Sequence, residues 1–343
     1  MVKVSVVIPV YNVEKYISET LDCFIGQTLR DIEIICVDDG STDESANIIK
    51  QYVEKYDRIR LIQQENKGAG AARNTGMAEA SGRYIYFFDG DDYCELQFLE
   101  LVTKMADEKN ADIVVFGYYR IDQMTGEKNS YKSVNKKFLP KDAEAFSRHD
   151  VPDRIMNIVT PTPWNKLYNR KFVVDSKLAF MELSTTNDIT FAALSVAMAN
   201  KVVYDETPYM YYRVNRDFAL TSFKQKKLDN VLKAVNGAVD GAKKLEYYDE
   251  IKHSVAYFCI SNLVFALENY AGDFLNKYYR EYYQKVHNIF SGEEFEGVNK
   301  KSFGNDALYA KFVTIRRDSY FKAFAKVVKE KLFGNNNEGT KSK

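Results

Sequence analysis

The sequence predicts an α/β fold in which helices cover both faces of a mainly parallel sheet, followed by a mostly α-helical C-terminal domain. Short apolar runs alternate with segments of helical periodicity over the first part of the chain. Beyond about residue 224 the strand signals vanish, and tyrosines and helix-forming residues dominate. We therefore divide the chain into residues 1–222 and 223–343, and the first part into 1–117 and 118–222.

The predicted strands are short apolar runs, and helical patterns separate the first three. The runs are VSVVI (4–8), EIICV (33–37), IRLI (59–62), RYIYFF (83–88) and DIVVF (112–116). Apolar residues recur at helical spacing from Ile17 to Ile25 and again from Ile48 to Tyr56. Ser41 and Glu44 form a capping-box pattern before the second helix, and a short third helix is expected around GAARNTGMAEA. Such alternation is typical of parallel strands.

Composition excludes several classes of protein. Lys+Arg and Asp+Glu both number 48, so the chain has no net charge and a general nucleic-acid-binding role is disfavoured. The four cysteines are scattered without metal-ligand spacing, and we interpret Cys23 and Cys36 as reduced core residues. No secretory signal pattern and no apolar run of 18 residues is present, which predicts a cytoplasmic protein.

Polar and glycine-rich segments follow the predicted strands and should meet at one edge of the sheet. Ligands of open α/β sheets bind beyond the carboxyl ends of the strands. The segments are PVYN (9–12), DDGSTD (38–43), NKGAGAARN (66–74) and DGDD (89–92). The sequence therefore predicts a ligand site at this edge.

The DGDD segment is a candidate metal site. Asp89 and Asp91 are two positions apart, so they point to the same side if the strand geometry persists. Their repulsion would become attraction around a hard divalent cation such as Mn²⁺ or Mg²⁺. The alternative is a solvated turn in which the aspartates accept hydrogen bonds from backbone amides.

Other residues of this edge also allow two interpretations. Asp39 could accept hydrogen bonds from a nucleobase or ribose, or it could serve the turn and cap the next helix. The Tyr11 ring could stack on a base or cover the first helix. GAGAAR (68–73) partly matches a dinucleotide-binding fingerprint, but Arg73 replaces its third glycine and the segment follows the third strand, not the first.

Five segments, taken together, resemble family 2 glycosyltransferases of the GT-A fold over roughly residues 3–222. They are VSVVIPVYN, IEIICVDDGSTDES, NKGAGAARNTGMAEASGRYIYFFDGDD, WNKLYNRKF and TTNDITFAALSVAMANKVVYDETPYMYYR. The resemblance implies a UDP-sugar donor, transfer with inversion at the anomeric carbon, and a Mn²⁺ or Mg²⁺ cofactor. Residues 1–117 would form the nucleotide-sugar-binding half and 118–222 the acceptor-binding half.

The resemblance also assigns roles to residues. Tyr11 and Asp39 match the uracil contacts, Asp89 the first acid of the DxD motif near ribose and metal, and Asp91 the metal ligand; Asp92 matches a common extra acid. Asp188 takes the position of the general base, with an N-cap role as the alternative, whereas Asn187 departs from the family's usual Glu. Trp164 and Arg213 fall in stretches that line the acceptor and diphosphate regions. The remaining nucleotide-sugar residues expected at this edge are Pro9, Asn12, Asp38, Asn66, Gly68, Arg73 and Gly90.

The predicted function is transfer of a hexose or N-acetylhexosamine to a hydroxyl of a lipid-linked or protein-linked glycan acceptor in surface glycan biosynthesis. The alternatives are a sugar nucleotidyltransferase and an inactive glycan-binding or partner module. In the C-terminal part, residues 316–333 place Tyr320, Phe321, Phe324, Val327, Val328 and Leu332 on one helical face among basic residues. That face could bind the inner side of the cell membrane, or it could dock on the helical domain or on a second subunit as a homodimer.

Overall fold

The computed structural model describes residues 1–215, 224–271, 277–298 and 305–323. The strands are β1 (Val4–Val10), β2 (Ile32–Asp38), β3 (Ile59–Gln63), β4 (Tyr84–Phe87), β5 (Tyr93–Cys94), β6 (Ile113–Asp122), β7 (Lys128–Tyr131), β8 (Ala145–Phe146), β9 (Lys166–Asn169) and β10 (Val202–Val214). The helices are α1 (Ile17–Ile25), α2 (Ser45–Val53), α3 (Ala69–Ala78), α4 (Phe98–Lys109), α5 (Arg170–Asp175), α6 (Ile189–Met198), α7 (Lys224–Lys243), α8 (Tyr248–Tyr270), α9 (Lys277–Phe290) and α10 (Asp306–Arg317).

All ten strands belong to one sheet, in the order β3-β2-β1-β4-β9-β6-β10-β5, with β7 on β6 and β8 on β10. β1 pairs in parallel with β2 and β4, β2 with β3, and β6 with β10. β9 runs antiparallel to both of its neighbours, β4 and β6. The predicted mainly parallel arrangement is therefore confirmed, and β9 is the reversed strand that joins the two parallel groups.

β1 is buried on both sides because helices cover both faces of the sheet. Val4, Val6 and Ile8 belong to the hydrophobic core that includes Phe24 of α1 and Phe98 of α4. Val7 belongs to the opposite core, which includes residues of α3 and α6. Successive side chains of a strand point to opposite faces, so an uninterrupted apolar run indicates this two-sided burial.

The C-terminal helices continue one of these two cores. The cluster that begins with Val7 of β1 also contains Ile260 of α8 and Val286 of α9. The predicted helical character of this region is confirmed. The predicted boundary between residues 222 and 223 stays a prediction, because residues 216–223 lie outside the described part of the chain and the core is continuous across it.

The predicted capping box of α2 is wrong. α2 begins at Ser45 with Glu44 as its N-cap residue, and Glu44 makes no side-chain capping bond. Ser41 lies too far upstream to reach the first free backbone N–H groups of the helix. Its hydroxyl instead accepts a hydrogen bond from the Asn12 backbone N–H, at 3.1 Å, and so connects the loops that follow β1 and β2.

The predicted continuous helix from residue 316 is also wrong at its start. α10 ends at Arg317, and Asp318 is extended, with φ −108° and ψ 119°. Tyr320 is buried against Tyr283 of α9, with ring centroids 5.9 Å apart, whereas Phe321 is 62% exposed. These two residues therefore do not share one apolar face, and residues 324–333 lie outside the described part. None of the helices in the described ranges is long and apolar enough to cross a membrane.

Candidate active site

Three aspartates cluster directly after β4. Asp89, Asp91 and Asp92 each offer a carboxylate oxygen, and these oxygens lie within 4.8 Å of one another. Magnesium binds oxygen ligands at about 2.1 Å, so the three carboxylates can surround a single cation. Asp91 and Asp92 are buried, and the Asp89 side chain is 28% exposed. The donor set therefore fits Mg²⁺ or Mn²⁺.

Asp92 holds this loop against β10. Its Oδ1 accepts a hydrogen bond from the Arg213 backbone N–H at 2.8 Å, while its buried Oδ2 has no hydrogen-bond partner. Burial raises the pKa of the Asp92 carboxyl well above its usual value, and the charge of Asp89 adds to the effect. Asp92 is thus engaged by β10 through one of its two carboxylate oxygens, and the assignment of the metal to Asp91 and Asp89 stays a prediction.

Arg73 connects the aspartate cluster with the segment before α6. Its Nη2 donates to Asp89 Oδ1 at 2.7 Å, and its Nη1 donates to Asn187 Oδ1 at 2.8 Å. The guanidinium is 5% exposed. A Cβ at Gly70 would lie 2.1 Å from the Met181 carbonyl oxygen. Because glycine has no Cβ, α3 can approach the segment before α6 this closely.

Asp188 stands at the N-terminus of α6, beside this arginine bridge. It occupies the N-cap position, but its carboxylate makes no capping hydrogen bond. Burial raises the pKa of Asp188 above its usual value, and the nearby Arg73 charge acts in the opposite direction. The structure thus brings Asp188, Asn187 and the DGDD cluster together around Arg73, although Asp91 and Asp188 are far apart in the sequence.

Two further residues of this site escaped the sequence-based prediction. Lys166 of β9 is fully buried, and its Nζ donates to the carbonyl oxygens of Thr160 and Thr162 at 2.7 and 2.6 Å and to Asn165 Oδ1 at 2.8 Å. Burial lowers the pKa of Lys166 to about 7, against the opposing influence of the negative Asp188. The feature of the sequence that could have indicated Lys166 is its position next to the apolar residues of the WNKLYN segment.

Tyr212 is the second missed residue. Burial raises its pKa to about 12, and the negative charges of Asp92, Asp89 and Asp188 add to the effect. Trp164 stacks on it with ring centroids 5.1 Å apart and is itself 6% exposed. Trp164 therefore packs on Tyr212 away from solvent, and its place in the acceptor or diphosphate region stays a prediction. The sequence gives no signal for Tyr212, because the chain has 25 tyrosines.

At the carboxyl ends of β2 and β3, Asp39 cross-links β2 to the glycine-rich loop. Its carboxylate accepts hydrogen bonds from Gln64 Nε2 at 2.8 Å, from the Lys67 N–H at 2.9 Å and from the Gly68 N–H at 2.7 Å. Gly68 has a φ of 91°, a conformation that favours glycine. These hydrogen bonds join Asp39 to the loop after β3 and not to its own DDGSTD turn or to α2; its contact with a base stays a prediction.

The neighbouring residues of this edge are arranged by the same loops. Asp38 accepts from the Ser41 N–H at 3.0 Å and from Gln63 Nε2 at 3.1 Å, and Asn12 Oδ1 accepts from the Thr42 N–H at 2.8 Å. Tyr11 is 44% exposed, as a ring that stacks on a ligand should be. Asn66 is exposed, and a Cβ at Gly90 would lie 3.3 Å from the Pro9 carbonyl oxygen. Their ligand contacts stay predictions.

Arg213 is buried and fully engaged within the protein. Its Nη1 donates to the Asp91 carbonyl oxygen and its Nη2 to Glu19 Oε2, both at 2.5 Å. Its guanidinium lies over the Tyr93 ring, 4.5 Å from the centroid. Arg213 therefore fixes the DGDD segment to β10 and α1. Its contact with a diphosphate stays a prediction.

Comparisons with known proteins identify the family of this chain. The family model described as Glycosyl transferase family 2 matches residues 5–174, which include β1 to β4 and the DGDD segment. The chain belongs to glycosyltransferase family 2. The family 2 resemblance of the sequence is thereby confirmed.

Relatives of this family 2 chain include bacterial glycosyltransferases. It is 32% identical to the putative glycosyltransferase EpsH of Bacillus subtilis over 232 residues, 67% of this chain and 66% of EpsH. It is 30% identical to the glycosyltransferase GlyA of Streptococcus pneumoniae over 258 residues, 74% of this chain and 36% of GlyA. The matched region thus spans about a third to two thirds of these relatives.

The fold of the family 2 chain is also that of a solved structure. TarS 1–349 of S. aureus, in complex with UDP, superimposes with a TM-score of 0.71 at 21% identity, covering 99% of this chain and 94% of TarS 1–349. This likeness confirms the GT-A fold together with the helical C-terminal region.

Proposed function

We propose that the protein transfers a hexose or N-acetylhexosamine, with inversion, from a UDP-sugar to a hydroxyl group of a glycan acceptor in surface glycan biosynthesis. The observation that carries the proposal is the arginine bridge, which joins the DGDD cluster to the segment bearing Asp188. TarS, the structural neighbour, has been solved with UDP and with UDP-GlcNAc, which supports a UDP-sugar donor here. The acceptor would be linked to a lipid or a protein.

In one displacement reaction, the aspartate cluster would act on the departing diphosphate and Asp188 on the attacking hydroxyl group. Asp91 and Asp89 would hold Mn²⁺ or Mg²⁺, which when bound neutralises the charge on the departing diphosphate. A mannosyltransferase of Pyrobaculum calidifontis with the same general fold has been solved with GDP-Man and Mn²⁺, at a TM-score of 0.54 and 16% identity. That complex supports a cation of this class.

Asp188 would act as the general base. The acceptor hydroxyl loses its proton to the Asp188 carboxylate while its oxygen bonds to the anomeric carbon, and the bond from that carbon to the UDP oxygen breaks. Attack from the side opposite the leaving group inverts the anomeric centre. The burial that raises the pKa of Asp188 also strengthens it as a proton acceptor. Asn187 orients Arg73 and takes no proton.

UDP release tests the proposal. The purified protein would be incubated with UDP-Glc, UDP-Gal, UDP-GlcNAc and UDP-GalNAc, with Mn²⁺ or Mg²⁺, and free UDP would be measured with and without glycoside acceptors. We expect release with at least one donor. Asp188→Asn should reduce turnover by about 10²-fold or more and leave UDP binding intact. Asp249→Asn is the matched control, since that side chain is 91% exposed.

A nucleotidyltransferase would give the opposite pattern. Pyrophosphate release from UTP and a sugar phosphate, without UDP release from any UDP-sugar, would contradict the proposal. Donor binding without any turnover would instead favour the inactive partner module.

A further inference from the structure

A cavity of about 460 Å³ opens beside the N-terminus of α6. Thr186 and Ile189, which flank Asp188 and its neighbour Asn187 in the chain, both line it. Its other walls come from the 156–161 segment and from the C-terminal helices α7 and α8. The size falls within the range of about 300–1,000 Å³ that is usual for small-molecule sites. The cavity therefore lies beside the segment that carries the proposed base, without being lined by Asp188 itself, and it has the size of a ligand site.

The described residues that line this cavity are uncharged and mostly apolar. The apolar ones are Met156, Val159, Pro161, Val231, Phe258 and Phe265, besides Ile189. Two cations lie behind wall tyrosines without lining the cavity: Arg154 is 4.1 Å from the Tyr257 ring centroid and Lys227 is 4.8 Å from that of Tyr270. A phosphate in the cavity would meet no charged side chain among the described lining residues, so its desolvation would cost several kcal/mol.

Six of the thirteen described lining residues carry polar groups, and three of these, Asn157, Ser261 and Asn262, donate hydrogen bonds inside the protein. Asn262 Nδ2 and Ser261 Oγ both donate to the Phe258 carbonyl oxygen, at 2.9 and 3.1 Å. Asn157 Nδ2 donates to the Ser254 carbonyl oxygen at 2.9 Å. The walls therefore offer apolar contact more than hydrogen bonds. At the rim, Phe265 is 55% exposed and packs edge-on against Tyr270, with ring centroids 5.8 Å apart.

We propose that this cavity binds an uncharged, apolar aglycone of the acceptor, so that the acceptor is a glycolipid-type molecule whose first group after the sugar carries no phosphate. The inference rests on the proposed function, because it takes Asp188 as the base. With a sugar hydroxyl at Asp188, the group attached to that sugar passes Ile189 and enters the cavity. The continuity of the cavity wall with the Asp188 segment and the absence of charge among its described residues favour this occupant over a polyanionic chain.

A series of alkyl glycosides tests the inference. Methyl, butyl, hexyl and octyl β-glycosides of glucose, galactose and N-acetylglucosamine, kept below their micelle concentrations, would serve as acceptors with the donor found by UDP release. We expect the acceptor KM to fall roughly threefold to fourfold for each added methylene until the cavity is filled, with kcat nearly constant. Calorimetric binding of the methyl and octyl glycosides provides a second readout that needs no turnover.

Two variants test whether the dependence of KM on alkyl length arises in this cavity. Ser261→Phe should fill the space and bring the octyl glycoside back to the KM of the methyl glycoside. Phe265→Ala should raise the octyl KM about threefold to tenfold and leave the methyl KM unchanged. Phe321→Ala is the matched control, because Phe321 is exposed to a similar extent, 62% against 55%, and should leave both constants unchanged.

Distinct outcomes separate the failure of this inference from that of the proposed function. A KM and a binding constant that do not vary with alkyl length, or a preference for a ribitol phosphate oligomer, would overturn the inference while UDP release upheld the function. Length-dependent binding that Ser261→Phe abolishes, without UDP release from any donor, would support the apolar site and contradict the proposed activity.

Discussion

Replacement of Arg73 provides the sharpest test of how the two parts of the site are joined. The guanidinium is 5% exposed and donates from two different nitrogens to Asp89 and to Asn187. Arg73→Met keeps much of the side-chain length but removes the charge and both hydrogen bonds. Arg73→Lys keeps the charge and can maintain only one of the two bonds.

The structure sets the size of the effect on stability. A hydrogen bond to a charged group contributes about 1.5–3 kcal/mol, and breaking a fully buried ion pair costs about 3–5 kcal/mol. The Asp89 side chain is 28% exposed, so water relieves part of that cost. We therefore expect Arg73→Met to lower the free energy of unfolding by about 2–4 kcal/mol, and Arg73→Lys by about 1–2 kcal/mol.

Arg73 should also tune the proposed base. Its positive charge opposes the rise in the pKa of Asp188 that burial causes. Loss of the charge in Arg73→Met should raise that pKa further, so the acid limb of kcat/KM should move to higher pH. In Arg73→Lys the limb should stay closer to that of the parent protein.

Urea unfolding and the pH dependence of UDP release measure these effects. A double-mutant cycle with Asn187→Ala isolates the contact between the two residues, with an expected coupling of about 0.5–3 kcal/mol. If Arg73→Met unfolded at the same urea concentration as the parent protein and showed the same acid limb, the bridge would carry neither stability nor electrostatic coupling, and this reasoning would be refuted.

Three further predictions follow from the same site. Burial raises the pKa of Asp188, so kcat/KM should fall with acidification at a pH above the usual aspartate value of about 3.9; a limb at or below that value would contradict the buried base. Asp92→Asn keeps the acceptor for the Arg213 N–H and should change the unfolding free energy by less than about 1 kcal/mol, whereas Asp92→Ala should cost about 1–3 kcal/mol; equal effects in urea unfolding would contradict the acceptor role. Gly70→Ala places a methyl group 2.1 Å from the Met181 carbonyl oxygen and should cost more than about 1–3 kcal/mol in thermal unfolding. In the control Gly241→Ala the contact is the movable end of Leu194, and a similar loss there would indicate a general intolerance of helical glycine replacement.

The first half of the fold could be predicted from the sequence because β1 to β4 are apolar runs between helical patterns. β9 and β10 could not be placed individually. β9 has four residues and begins with a buried lysine, and its partners β4 and β6 are distant in the sequence. Local patterns carry no information on such long-range pairing.

The site residues also differ in whether the local sequence could predict them. The position of DGDD after a strand predicted a metal site from local reasoning, because carboxylates at a strand end need a compensating charge. The role of Asp188 depended on the family resemblance, since nothing nearby in the sequence connects it to Asp91. Lys166 and Tyr212 were missed because their place near the acids follows from burial and from neighbours that only the fold provides.

The reversed strand β9 has a consequence for how the protein folds. Ile85 of β4 pairs with Tyr168 of β9, and Val114 of β6 pairs with Leu167, so the centre of the sheet closes only after a long intervening segment has been synthesised. Pairing between such distant residues is intrinsically slow. Until β9 enters, β4 presents an open edge that can pair with other chains, and Lys166 cannot anchor the loop at Thr160. We therefore expect the active centre to form late in folding, after β1, β2, β3 and β4 have already paired.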